Sequence, residues 1–331
     1  MNVYARDNKK MLNMPILEIL KDYTDTEHRL TQQEIIDLLK LNYGAECDRR
    51  SIRNNIRSLQ DMGYEIATER GCYLAEREFD DAELRMLIDS VLFSKNLSGA
   101  QAKRLIEKLK GFGNRYFHAK VAHVSNLPEL FHSDNKQVMV ALDTLNDAIE
   151  EKKKVSFIYN CYGTDFKLHP RRDEPYIVNP YHMVANNGRY YLIGNYDKYD
   201  DLSHYRIDRI TSVTMLSEQV KPKKDVREFA GGWSLPKHMA EHIYMYSGDS
   251  VTVKFIADTD LMDELIDWFG RDFHIKKESE NKMLVTLRCN ERAMKYWALQ
   301  YGGHIEIKEP QSLRETVKAT VLDMAKKYGG E

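Results

Sequence analysis

Between Leu12 and Leu59 the apolar residues recur at helical spacing in three short runs, and just past Gly63 that spacing collapses to alternation. A chain satisfies both periods by packing three helices together and following them with a hairpin. The first run is Leu12, Ile16, Ile19, Leu20 and Tyr23, with Pro15 tolerated in its first turn. The second opens on Thr31-Gln32-Gln33-Glu34, a capping box whose hydroxyl and carboxylate each satisfy an orphan amide, and continues through Ile35, Ile36, Leu38 and Leu39. Gly44 breaks the chain, Asp48 can cap a third helix, Ile52, Ile56 and Leu59 form its apolar stripe, and Gly63 stops it. Tyr64 to Ala67 and Cys72 to Ala75 flank Thr68 to Gly71 as the two arms of a hairpin.

This order is the pattern of a winged helix-turn-helix, whose third helix fits a major groove about 12 Å wide. At about 100° per residue, Arg50, Arg53, Asn54 and Arg57 gather opposite Ile52, Ile56 and Leu59. Charge sharpens the reading. The whole chain carries 49 Lys and Arg against 51 Asp and Glu, so any attraction to nucleic acid must be local. From Asp48 to Gln60, four arginines face one acid, a local charge of +3. Arginine can fork onto guanine and asparagine onto adenine, so the expected DNA contacts are Arg49, Arg50, Arg53, Asn54 and Arg57, with Arg70 at the wing tip. A helix face that meets only water or protein would suit the same residues.

At 331 residues the chain is too long for one ordinary domain. The expected fold is multidomain α+β: a winged helix-turn-helix over 1–77, a helical connector over 78–135, a small β-barrel over 136–220 and a ferredoxin-like extension over 221–331. The connector rests on Leu84, Leu87, Ile88, Val91 and Leu92, then on Leu105, Ile106 and Leu109 behind a Ser98-x-x-Gln101 capping box; Gly111 to Asn135 has no clear pattern. A helix with Val138, Leu142, Leu145 and Ile149 leads into short strands near 155–159, 166–169, 176–178, 189–193, 204–207 and 212–216, joined by turns such as Asn186-Asn187-Gly188. Lys221 to Glu228, charged and holding Pro222, reads as a linker. Beyond it, strand, helix, strand, strand, helix and strand follow to Lys308, the order of a split β-α-β unit, and an amphipathic tail helix adds Leu313, Val317, Val321 and Leu322.

Three segments carry a family resemblance: Tyr176-Ile177-Val178-Asn179-Pro180-Tyr181-His182-Met183-Val184, Gly188-Arg189-Tyr190-Tyr191-Leu192-Ile193-Gly194, and Tyr205-Arg206-Ile207-Asp208-Arg209-Ile210. They resemble the WYL domain family, with Tyr190-Tyr191-Leu192 in place of the Trp-Tyr-Leu triplet. The resemblance spans nearly the whole chain and implies a bacterial, homodimeric, ligand-responsive transcriptional regulator. The resemblance also implies that the barrel over 136–220 is an SH3/Sm-like β-barrel and senses a nucleotide or nucleic-acid-like effector. Arg206 and Arg209 would fork onto phosphate, while Tyr181, His182 and Tyr190 would line the ligand. On an unbroken strand Arg206 shares a face with His204, so Arg209 joins Arg206 only if the strand ends or bends near Asp208. Arg171 and Arg172 are further anion candidates. Alternatively the tyrosines fill the barrel and the arginines pair with nearby acids.

Cys47, Cys72, Cys161 and Cys289 form no C-x-x-C, so neither a disulfide framework nor a thiolate metal site is expected. Without a secretory segment or a membrane-length apolar run, the chain reads as cytoplasmic. His238-Met239-Ala240-Glu241-His242 matches H-x-x-E-H, but Pro236 and Gly248 leave room for only a short helix and no third ligand stands out downstream. No catalytic residue, metal or cofactor is therefore assigned. The rival reading is an accessory protein whose barrel binds RNA or single strands without operator recognition.

Overall fold

Three helices pack pairwise at the start of the chain: α1 (Asn13–Tyr23), α2 (Gln32–Tyr43) and α3 (Arg49–Asp61). Their apolar stripes meet in one core, where Ile16, Ile19, Leu20, Ile35, Leu39, Ile52, Ile56 and Leu59 are buried. The capping box is formed as the spacing predicts: the Thr31 hydroxyl accepts from the Glu34 amide at 3.2 Å, and the Glu34 carboxylate accepts from the Thr31 amide at 2.7 Å. Gly44 then ends α2 at a left-handed φ of 66°. The computed structural model describes residues 12–121, 135, 137–229 and 232–329, and the chain divides after Asp134 into two units.

Strands β1 (Ile66–Ala67) and β2 (Tyr73–Leu74) pair antiparallel, with Ile66 opposite Leu74, and a bridge from Leu30 to Cys72 extends the ribbon. Gly71 is required at its turn, because φ is 117° and a Cβ there would come within 2.9 Å of the Arg29 Cβ. Thr24 ties the ribbon to α1: its buried hydroxyl donates to the Leu20 carbonyl at 2.5 Å and accepts from the Leu74 amide at 3.2 Å. Helices α4 (Asp81–Leu92), α5 (Gly99–Lys110) and α6 (Arg115–Val121) share a second core of Leu84, Ile88, Ile106 and Phe117. The stretch without a clear pattern thus contains α6, held by Asn114, whose side chain donates to the Thr24 carbonyl at 3.0 Å. Residues 122–134 and 136 lie outside the described residues.

In the second unit α7 (Val138–Glu150) covers a curled antiparallel sheet of β3 (Lys153–Tyr162), β4 (Leu168–Pro170), β5 (Tyr176–Asn186), β6 (Arg189–Tyr196), β7 (Leu202–Arg206) and β8 (Ile210–Gln219). The order is β4-β3-β5-β6-β7, and β8 pairs with β3. The curl forms a half-barrel around Val155, Phe157, Leu192 and Ile207. Asn187 and Gly188, both at positive φ (49° and 71°), turn β5 into β6. Strand β5 runs well past the expected Val178, because a register shift between Pro180 and His182 accommodates the proline that cannot donate to the ladder.

Lys221 to Glu228 is packed rather than free. Two 3-10 turns fold it onto the sheet, Val226 is fully buried beside Tyr181, Ile193 and Leu202, and Glu228 Oε1 accepts from the Leu202 amide at 2.9 Å. One valine among charges gives no periodic signal, so sequence reads only the charges. After α8 (Leu235–Glu241) come β9 (Ser250–Asp258), α9 (Met262–Phe269), β10 (His274–Lys277), β11 (Lys282–Asn290), α10 (Glu291–Gln300), β12 (Ile305–Glu309) and α11 (Gln311–Lys327). Their sheet is antiparallel in the order β10-β11-β9-β12, with a core of Phe255, Leu265, Trp297 and Leu313. Among the described residues no helix is long and apolar enough to cross a membrane.

Candidate functional site

The basic surface of the first unit is built by α3. Asp48 starts it, its carboxylate accepting from the Ser51 amide at 2.7 Å. Ile52, Ile56 and Leu59 are then drawn into the core, which turns Arg50, Arg53, Asn54 and Arg57 outward, all exposed. Among the described residues, Arg50, Arg53 and Arg57 have no salt bridge, so their guanidinium charge faces solvent. Arg49 differs, donating to Gln33 Oε1 at 3.3 Å and linking α3 to α2. Arg70 is exposed at the β1–β2 turn, with φ at 57°. Arg29, outside the expected contacts, donates to the Glu69 carbonyl at 3.1 Å and lies 4.7 Å over the Tyr73 ring, bracing the hairpin from outside. Nothing local marks that role, since Glu69 lies forty residues away.

In the second unit β7 ends at Arg206, and a 3-10 turn over Ile207–Arg209 carries the chain into β8. That bend meets the condition under which Arg209 can join Arg206. Arg206 donates from Nε to Asp208 Oδ1 at 3.0 Å, and Arg189 donates to Asp208 Oδ2 at 2.9 Å. Asp208 is 2% exposed, while the two arginine side chains are about one-fifth exposed. The Arg209 Nε is buried without a partner. Tyr191 sits opposite Arg206 in register, and the Tyr159 hydroxyl accepts from the Arg206 amide at 3.1 Å. Burial works against charge on Arg206, yet its hydrogen bonds to the Asp208 carboxylate carry its pKa above the ordinary value; Arg189, buried beside Arg206, is lowered. Burial raises both tyrosine hydroxyls, so they stay neutral donors. Two guanidinium groups, those of Arg189 and Arg206, thus share one carboxylate beside an unpartnered Arg209 Nε, an arrangement suited to taking up an anion.

The other expected ligand residues lie apart from this group. Tyr181 is buried, its hydroxyl donating to the Lys221 carbonyl at 2.7 Å and its ring packed edge-on against Phe229. His182 stacks on Trp233 at 5.0 Å, and its Nε2 lies 2.9 Å from Lys223 Nζ. Tyr190 is exposed on the side of β6 away from Tyr191. Arg172 lies 3.5 Å over the Tyr176 ring and donates to the Tyr196 hydroxyl and to the carbonyls of Glu174 and Pro175. Its donors are committed to the fold. Arg171 is exposed. Arg189, to which no local pattern assigns a role, joins the site because Asp208 folds back toward the start of β6.

Residues 140–215, which hold α7, most of the sheet and this arginine group, match the WYL domain model. The chain therefore carries a WYL domain. Residues 249–325 of this WYL protein match the WCX domain. It is 23% identical over 301 residues to YobV of Bacillus subtilis (strain 168), named as an uncharacterized HTH-type transcriptional regulator, across 86% of this chain and 90% of that one. Domains and relative together group it with the WYL-domain transcriptional regulators. Among solved structures it is similar to proteasome accessory factor B/C (PafBC) of Arthrobacter aurescens, 17% identical with a TM-score of 0.30 over 95% of this chain and 48% of that one. The WYL protein therefore spans about half that solved chain. A CRISPR Cas-related protein is 15% identical with a TM-score of 0.41, over 77% of this chain and 75% of that one.

Proposed function

We propose that this WYL protein binds operator DNA as a homodimer and answers to a nucleotide or nucleic-acid-like effector. The observation that carries the reading is the solvent-facing row Arg50, Arg53, Asn54 and Arg57 on α3, opposite a fully packed apolar stripe. On this reading α1–α3 with β1 and β2 form a winged helix-turn-helix, the curled sheet is an SH3/Sm-like sensing barrel, and β9–β12 with α9 and α10 form a ferredoxin-like extension. The expected division into 1–77, 78–135, 136–220 and 221–331 goes with it, as does action in the cytoplasm without catalysis. Two heads related by a dyad would meet half-sites about 34 Å apart.

The arginine group supports the effector half. An incoming phosphate competes with Asp208 for guanidinium donors already gathered, and Arg209 brings an Nε with no partner. The effector alters DNA binding only if it binds two arrangements of the chain unequally. Selection from random duplex DNA on the purified full chain tests the proposal. Enrichment of an inverted repeat is expected. Lack of enrichment, with binding to RNA or single strands retained, overturns it in favour of an accessory nucleic-acid-binding role.

A further inference from the structure

The H-x-x-E-H segment acquires in three dimensions what it lacks in sequence. Helix α8 places His238 and His242 one turn apart, with rings stacked at 4.0 Å, and β7 brings His204 against both, at ring distances of 5.0 and 5.1 Å. One nitrogen from each imidazole can be chosen so that all three lie within 4.8 Å of one another. They stand in a cleft of about 670 Å³ that Glu228 and Glu241 also line. The third imidazole lies upstream of the segment, not downstream, on the strand that ends in Arg206.

Hydrogen bonding fixes which nitrogens are free. His242 Nδ1 lies 2.8 Å from the His238 carbonyl, so it carries the proton and donates, leaving Nε2 as a lone pair. Holding a ligand imidazole through its far nitrogen in this way is the usual support at a metal centre. The Trp233 indole can only donate, and it does so to His238 Nδ1 at 3.2 Å. The His238 proton is therefore on Nε2, pointing at His204 Nε2 only 2.8 Å away. That leaves His204 Nδ1 as a buried donor with no partner, and Glu228 Oε2 is likewise buried and unpartnered. Burial holds His204 and His238 below the ordinary imidazole range, so both are neutral, as ligation requires.

We propose that His204, His238 and His242 bind one divalent transition-metal ion of the imidazole-preferring kind, zinc being the reference, and that binding releases Trp233. On a tetrahedral ion at about 2.0–2.1 Å, ligand nitrogens lie roughly 3.3 Å apart, so the His204–His238 pair opens by about half an ångström. The proton between them gives way to the ion. It moves from Nε2 of His238 to Nδ1, with no net change in protons, and Nε2 donates its lone pair to the metal. Two N–H groups then face each other where Trp233 meets His238, and that hydrogen bond must break. Trp233 stacks on His182 and packs against Phe229 at 4.9 Å, so its departure loosens the segment bridging sheet and extension. The inference does not rest on DNA binding.

Full-length protein stripped with chelator and kept reduced is titrated with Zn²⁺, with bound metal counted by atomic emission and tryptophan fluorescence followed in parallel. One zinc per chain is expected, with a fluorescence change. His204→Ala and His242→Gln should each weaken binding about tenfold or more with an unchanged circular dichroism spectrum; the glutamine, able to donate to the His238 carbonyl, decides the matter should the alanine variant misfold. Trp233→Phe should bind at least as tightly and lose the fluorescence change. Absence of stoichiometric zinc in the wild type, or wild-type affinity in the histidine variants, overturns the site. A fluorescence change that survives Trp233→Phe overturns the release of Trp233.

Discussion

Arg206 grips Asp208 with two parallel hydrogen bonds, Nε to Oδ1 at 3.0 Å and its terminal nitrogen to Oδ2 at 2.6 Å, although the residues are only two apart in sequence. An extended strand would put both side chains on one face some 7 Å apart, too far to chelate so closely. The 3-10 turn over Ile207–Arg209 closes the gap and leaves Asp208 within reach of Arg189 as well. Asp208→Asn keeps the shape but strips the charge from beneath two half-buried arginines. It should cost about 3 kcal/mol, the scale for breaking a buried pair, read as a lower urea midpoint of the full chain. An unchanged midpoint would show that the arginines do not depend on this carboxylate.

The α3 surface predicts a salt effect. Replacing Arg53 and Arg57 together by alanine should weaken duplex binding and lower the slope of log affinity against log salt by about 2, one counterion for each lost phosphate contact. Fluorescence anisotropy titrations at several salt concentrations give the slope directly. If slope and affinity both match the wild type, α3 does not face DNA.

Arg172 separates an anion site from a structural brace. Its guanidinium covers the Tyr176 ring and bonds the Tyr196 hydroxyl, so Arg172→Ala should destabilise the second unit by about 2 kcal/mol. DNA affinity well below the melting temperature should not change. Equal stability of variant and wild type in chemical denaturation would contradict the brace.

Glu228 gives a pH dependence of definite sign. Burial raises its pKa, so its contribution to stability is fully present below the unfolded carboxylate value of about 4.3 and is lost as pH rises through the folded value. Glu228→Gln retains an oxygen for the Leu202 amide but no charge. The variant should melt above wild type at pH 7, with the difference shrinking toward pH 4. A constant difference across that range would assign the effect to packing.

Much of this was legible in the residues alone. The Thr31 and Ser98 capping boxes start their helices where expected, and Asn187-Gly188 turns its hairpin, because each motif acts on backbone groups three or four residues away. The α3 stripe assigned inside and outside for the same reason. The surroundings of the expected ligand residues are not local in this way. Tyr181 and His182 belong to the same family pattern as Tyr190-Tyr191-Leu192 yet pack with Phe229 and Trp233, since a register shift at Pro180 and the folding back of Val226 decide what covers them.

Sequence by itself determined the helices other than α6, their caps and the basic face of α3, which rest on side chains within a few turns of one another, and the WYL resemblance, which rests on three short motifs. Only the tertiary structure decided that Arg189 shares Asp208 with Arg206, that Val226 is core, and that His204 meets His238 and His242. Arg189 lies 19 positions from Asp208, Val226 lies 45 from Tyr181, and His204 lies 34 and 38 from His238 and His242; strand register and sheet curl, which no local period encodes, set their distances.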